Sequence, residues 1–138
     1  MSFDHIRTGA VIRYPYLWAR EAEKGETGGR KLRPAVVGVR LPRVDDADII
    51  LLFPITSPPP ARSRLAAEIP AAEKRRAGLS IDMRLWLILD EYNQDILGQS
   101  FHLEPGPPLG RLSKAFLLPL LKAFVARRTE TRRVKRNR

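Results

Sequence analysis

The chain is predicted to fold as a mainly β protein: a small, strongly curved, mostly antiparallel barrel or half-barrel with one C-terminal helix packed on it. Three observations predict this. Apolar residues come in short runs rich in β-branched and aromatic side chains, the length of strands rather than of long helices. The runs are separated by segments dense in proline, of which the chain has 12, and proline cannot donate to a sheet ladder. Only near the C-terminus do apolar residues recur at helical spacing. At 138 residues the chain suffices for one domain with a real core.

The elements follow in order. "GAVIRYPYLW" (9–18) is a first strand, opened by Gly9 and bent at Pro15. "AREAEKGETGGRKLR" (19–33) is a polar loop with a helical turn near its start. "PAVVGVRLP" (34–42) is a strand bounded by prolines, and "RVDDAD" (43–48) is a turn in which Asp side chains bond their own backbone. The continuous apolar run "IILLFPIT" (49–56) predicts a strand covered on both faces. Three prolines in 57–64 stop the sheet. A short strand (65–70), one or two helical turns ended by Gly78 (71–78) and a fifth strand "RLWLILDEYN" (84–93) come next. In "RLSKAFLLPLLKAFVARR" (111–128), an interior proline costs about 3 kcal/mol, so residues 111–117 are expected to be extended. The helix is expected to begin at Pro119 and to cover the sheet with Leu120, Leu121, Phe124 and Val125.

The net charge is +10, which favours a polyanionic partner. Residues 127–138, "RRTETRRVKRNR", carry +6 of it, leaving a mildly basic body, 1–126, as the single domain. So few apolar groups in the tail predict that it frays beyond the helix, either as a solvated terminus or as an arm that binds nucleic acid by counterion release. No apolar run reaches the roughly 20 residues of a membrane span, and the N-terminus has no secretory pattern. The absence of cysteine excludes disulfides and thiolate metal sites and agrees with a cytoplasmic location.

Common enzyme signatures are missing. His5 and His102 are the only histidines and have no metal-ligand spacing, and neither a Gly-x-Ser-x-Gly elbow nor a phosphate loop is present. No metal or cofactor is expected. Polar groups at strand ends remain: Arg33 before the second long run, Thr56 and Ser57 closing "PITS", and Asp90, Glu91 and Asn93 closing "DEYN". In a curved sheet such ends can converge on one rim, where a guanidinium, a hydroxyl and a carboxylate would bind and activate a phosphodiester. The alternative reading is that strands end in polar residues because they end at the surface.

Taken in order, "GAVIRY", "GGRKLRPAVV", "ILLFPITS" and "LWLILDEYNQDI" resemble the successive signature segments of the PemK/MazF family of toxin endoribonucleases, over about residues 9–96. The resemblance implies an SH3-like barrel of the CcdB/PemK type, a homodimer, a cognate acidic antitoxin, and metal-independent cleavage of single-stranded RNA. Arg33 matches the Arg of the family's Arg-Pro, Thr56 the Thr of Pro-Ile-Thr-Ser, and Asp90 the acid at a strand end. Where many members continue with Gln-x-Arg, this chain has Glu91 and Asn93, which removes a cation from beside the scissile phosphate.

On this reading the RNA 2′-hydroxyl attacks the adjacent phosphorus. Asp90 takes the proton, Arg33 stabilises the charge and Thr56 donates to a phosphate oxygen. Trp18 and Tyr16 stack on bases. Arg30, Lys31, Ser57, Glu91 and Asn93 complete the expected RNA-contacting set. Two rivals remain: a non-catalytic toxin of the same fold acting on a protein such as gyrase, and a plain nucleic-acid-binding barrel.

Overall fold

The computed structural model describes residues 3–26, 31–43, 46–98, 103 and 106–136. Among these residues eight strands form one curled, half-barrel sheet, accompanied by three α-helices. In chain order they are β1 (Ala10–Tyr14), α1 (Ala19–Glu23), β2 (Arg33–Arg43), β3 (Asp46–Thr56), β4 (Ala66–Glu68), α2 (Ala71–Arg76), β5 (Trp86–Ile88), β6 (Glu91–Ile96), β7 (Gly110–Arg111), α3 (Lys114–Ala126) and β8 (Arg132–Lys135). The sheet runs β4-β5-β3-β2-β1-β7, with β6 also pairing β3, and β8 pairing β6. Every pairing is antiparallel except that of β6 with β8.

Strand β3 is covered on both faces, as its unbroken apolar run predicts. Ile50 and Leu52 pack with Tyr14, Tyr16, Trp18, Ala35 and Val37 on one side. Leu51, Phe53 and Ile55 pack with Val36, Leu87, Leu117 and Phe124 on the other. The predicted fifth strand divides in two. Ile55 faces Leu87 while Leu52 faces Asn93, so six residues of chain advance past three of β3, and Asp90 sits in the resulting bulge. The first strand leaves the ladder at Pro15, yet Tyr16, Leu17 and Trp18 stay buried.

Two expectations are corrected. Helix α3 begins at Lys114, and Pro119 lies within it. Ser113 caps it by accepting from the Phe116 amide at 3.2 Å, while its own N–H and hydroxyl donate to Glu73 at 2.7 Å each. A cap worth about 1 kcal/mol, plus the burial of Leu117 and Phe124 at about 1.5–3 kcal/mol each, outweighs the proline's roughly 3. Phe124 meets Phe53 edge-on at 4.9 Å, over the space left by Gly38. Leu117 takes the core position expected of Val125, which is exposed.

The basic tail does not fray at residue 127. A 3₁₀ turn (Arg128–Glu130) leads into β8, whose Val134 is buried against Leu17 and Ala19. Arg136 is buried, with Nη1 donating to the Pro15 carbonyl at 2.6 Å and its guanidinium 5.6 Å from the Tyr14 ring. One apolar residue and the backbone ladder of β6 anchor a segment whose composition alone predicts disorder. No helix among the described residues is long and apolar enough to cross a membrane.

Candidate functional site

Three adjoining depressions lie along the ends of β2 and β3. The largest, about 290 Å³, is lined by Arg13 of β1, Arg33 and Pro34 of β2, Ile55 and Thr56 of β3, Ser57, and the loop that carries Ser80 and Met83. Register brings these together. Tyr14 faces Arg33 and Ala35 faces Pro54, so the chain ends of β1, β2 and β3 arrive at one level. Gly78, with φ +71°, ends α2 close against the Leu109 carbonyl and lets the Ser80 loop form the far wall.

The chemistry of this hollow is one-sided. It offers two guanidiniums and three hydroxyls over an apolar floor, and none of its lining residues is a carboxylate. Arg33 is exposed at the strand end, and among the described residues neither it nor Arg13 makes an ion pair. Unpaired cations held on strands, with hydroxyl donors beside them, suit an anion such as a phosphodiester. Arg33 also lines a smaller hollow of about 150 Å³ with Tyr16, Glu21, Glu26 and Lys31. Thr56 also lines a groove of about 240 Å³ with Trp18, Arg20 and Arg64.

Of the residues singled out in the sequence, Arg33, Thr56 and Ser57 therefore meet in one hollow, and Lys31 lies next to it. Arg30 and His102 fall outside the described residues. Asp90 is not brought to the hollow. Its Oδ1 accepts from Arg64 Nε and Nη2 at 2.9 and 2.6 Å, and its Oδ2 accepts from Arg64 Nε and the Leu65 amide at 2.8 and 3.2 Å. Both oxygens are thus engaged by Arg64 and Leu65, away from the hollow. Arg64 in turn is held in its charged form, chiefly by its hydrogen bonds to Asp90.

Glu91, Asn93 and Tyr16 are corrected from RNA contacts to internal supports. Glu91 is only 2% exposed; its Oε1 accepts from the Tyr16 hydroxyl at 3.0 Å and the Ala19 amide at 2.9 Å, and its Oε2 from Arg64 at 3.1 Å. Asn93, fully buried, pins the strap after Pro15 by accepting from the Leu17 amide at 2.9 Å and donating to the Leu17 carbonyl at 2.8 Å. Tyr16 is buried at 2% exposure, too enclosed to stack on a base, and burial followed by the Glu91 charge raises its pKa well above the ordinary tyrosine value. Tyr14, donating to Asp95 at 2.6 Å, is shifted upward too, first by burial and then by Asp95. Trp18 is 5% exposed and meets Tyr16 edge-on at 5.3 Å, so it walls the groove and is not a stacking platform. His5 is exposed, away from all three depressions.

Arg13, Arg20, Arg64 and Ser80 were missed. Arg13 interrupts an otherwise apolar strand, "AVIRY", and that break in pattern is a readable signal of an outward cation. Arg64 and Ser80 lie in irregular loops, where one sequence carries no periodicity from which to place them. Compared with family models, curated proteins and solved structures, the chain matches none.

Proposed function

We propose that the chain binds single-stranded RNA across the ends of β2 and β3 and cleaves it without a metal, as the toxin of a toxin–antitoxin pair. The observation that supports this is the meeting of Arg33, Thr56 and Ser57 in a hollow that also presents Arg13 and no carboxylate. Such a surface favours a phosphate and, in the transition state, the extra charge on its equatorial oxygens. The 2′-hydroxyl attacks the neighbouring phosphorus, giving a cyclic phosphate and a free 5′-hydroxyl. Arg33 stabilises the phosphorane, since a guanidinium does not give up its proton readily, and Thr56 donates to a phosphate oxygen. With Asp90 tied to Arg64, the 2′ proton passes to water and the leaving 5′ oxygen takes a proton from water, so catalysis rests on positioning and charge.

The test is a mixed-sequence RNA and its DNA counterpart incubated with the protein in EDTA. RNA fragments ending in cyclic phosphate, lost in Arg33→Ala and Thr56→Val, support the reading. Uncut RNA at high protein concentration, or equal cutting by Arg33→Ala, overturns it. The engagement of both Asp90 oxygens favours a second reading, a basic barrel that binds nucleic acid without cutting it. That protein would hold DNA and RNA alike, with affinity falling steeply as salt rises.

A further inference from the structure

The groove on the other side of Thr56 differs in character from the Arg33 hollow. Its lining joins the apolar side chains of Trp18, Pro59 and Ile88 to side-chain donors, Arg20, Arg64 and the Thr56 hydroxyl. Arg20 lies over the Trp18 ring at 4.8 Å. The Nε and Nη2 edge of Arg64 is committed to Asp90 and Glu91 at 2.6–3.1 Å, and among the described residues its Nη1 has no partner. The guanidinium is planar, so a carboxylate fork on that edge turns Nη1 away from Asp90. Arg64 lines the groove and Asp90 does not.

Charge decides what this groove suits. Two carboxylates on Arg64 leave that corner formally negative, and Arg20 restores neutrality, so a phosphate gains little there. A neutral, flat group carrying acceptors fits better, and in RNA that is a nucleobase. A cationic N–H donor is what guanine O6 and N7 most often accept from in base-specific contacts, and Nη1 is the donor Arg64 has left.

We propose that this groove is a guanine pocket next to the phosphate site, with Arg64 as the residue that determines specificity and with Asp90 and Glu91 as the residues that position it. Thr56, shared by both depressions, places the base and the phosphate on neighbouring nucleotides. The inference rests on the RNA reading above and goes further by naming a base.

The experiment is fluorescence anisotropy with three labelled RNAs: all-uridine, the same strand with one guanosine, and one with 7-deazaguanosine in its place. The wild-type protein should bind the guanosine strand roughly fivefold or more tighter than the uridine strand, with most of that gain lost in the deaza strand. Arg64→Lys keeps a cation against Asp90, and in that variant the ratio of guanosine-strand to uridine-strand affinity should fall to about one. Equal affinity for the three strands, a preference for another base in a full panel, or an undiminished preference in Arg64→Lys overturns the pocket. The two readings separate cleanly. Wild-type binding that Arg33→Ala weakens for every strand, without discrimination, sinks the pocket alone, whereas no binding to any RNA sinks both.

Discussion

Two groups of polar residues close strands in this molecule, and they serve opposite ends. At the tips of β2 and β3, Arg33, Thr56 and Ser57 face a hollow, and Arg33 is exposed and unpaired among the described residues. At the bulge between β5 and β6, Asp90, Glu91 and Asn93 are spent on the protein itself: on Arg64, on Tyr16 and on the backbone of Leu17 and Ala19. In sequence both look alike, a short polar stretch after an apolar run. What separates them is the Pro15 strap and the start of α1, which cover Glu91 and Asn93, and Arg64, which takes Asp90; among the described residues nothing of the kind covers Arg33. A buried acceptor must find donors, and once it has them it has none to offer a ligand.

The comparison can be broken by substitution. The largest effect is expected from Glu91→Ala, which strands the Tyr16 hydroxyl, the Ala19 amide and part of Arg64. By analogy with halved buried ion pairs it should cost about 3–5 kcal/mol in urea denaturation. A loss under about 1 kcal/mol would show that the covered cluster is no more structural than the rim. Deleting residues 132–138 removes β8, and burial of Val134 alone contributes about 1.5–3 kcal/mol, so the truncated chain should melt measurably earlier. An unchanged melting temperature would return the segment to the role of a loose arm.

The tyrosines set a pH limit. Tyr14 and Tyr16 keep their protons in the folded chain to pH values above the ordinary tyrosine pKa, whereas the unfolded chain loses them from about pH 10. Stability is therefore full below about pH 10 and falls above it, by about 1.4 kcal/mol per pH unit for each tyrosine. Tyr16→Phe should flatten that alkaline slope by about half. The smallest change in stability is expected from Arg33→Ala, within about 0.5 kcal/mol, since its side chain is exposed. On the proposed RNA reading the same variant should also lose cleavage, and a large drop in its melting temperature would mean that Arg33 belongs with the structural group after all.

Much of the fold was legible in the sequence. The long runs at 34–42 and 49–56 became β2 and β3, the latter apolar on both faces, and Gly78 does end α2. The helix start was misread because Pro119 speaks locally for a boundary, while the Glu73–Ser113 cap that overrides it joins residues forty positions apart. Half of the candidate site was legible for a similar reason. Arg33 and Thr56 sit at strand ends whose register follows from pairing, but the partner of Asp90 is an arginine in an irregular loop, for which one sequence offers no pattern.

The order of apolar runs and prolines determined by itself that the chain is a small curled sheet with a C-terminal helix, because strand length, ladder donors and helical spacing are local properties. Only the tertiary structure decided which charges are free. Whether a carboxylate is a catalyst or a brace depends on which donor the folded chain carries to it. For Asp90 that donor is Arg64, and for Glu91 it is the Tyr16 strap, both set by long-range packing.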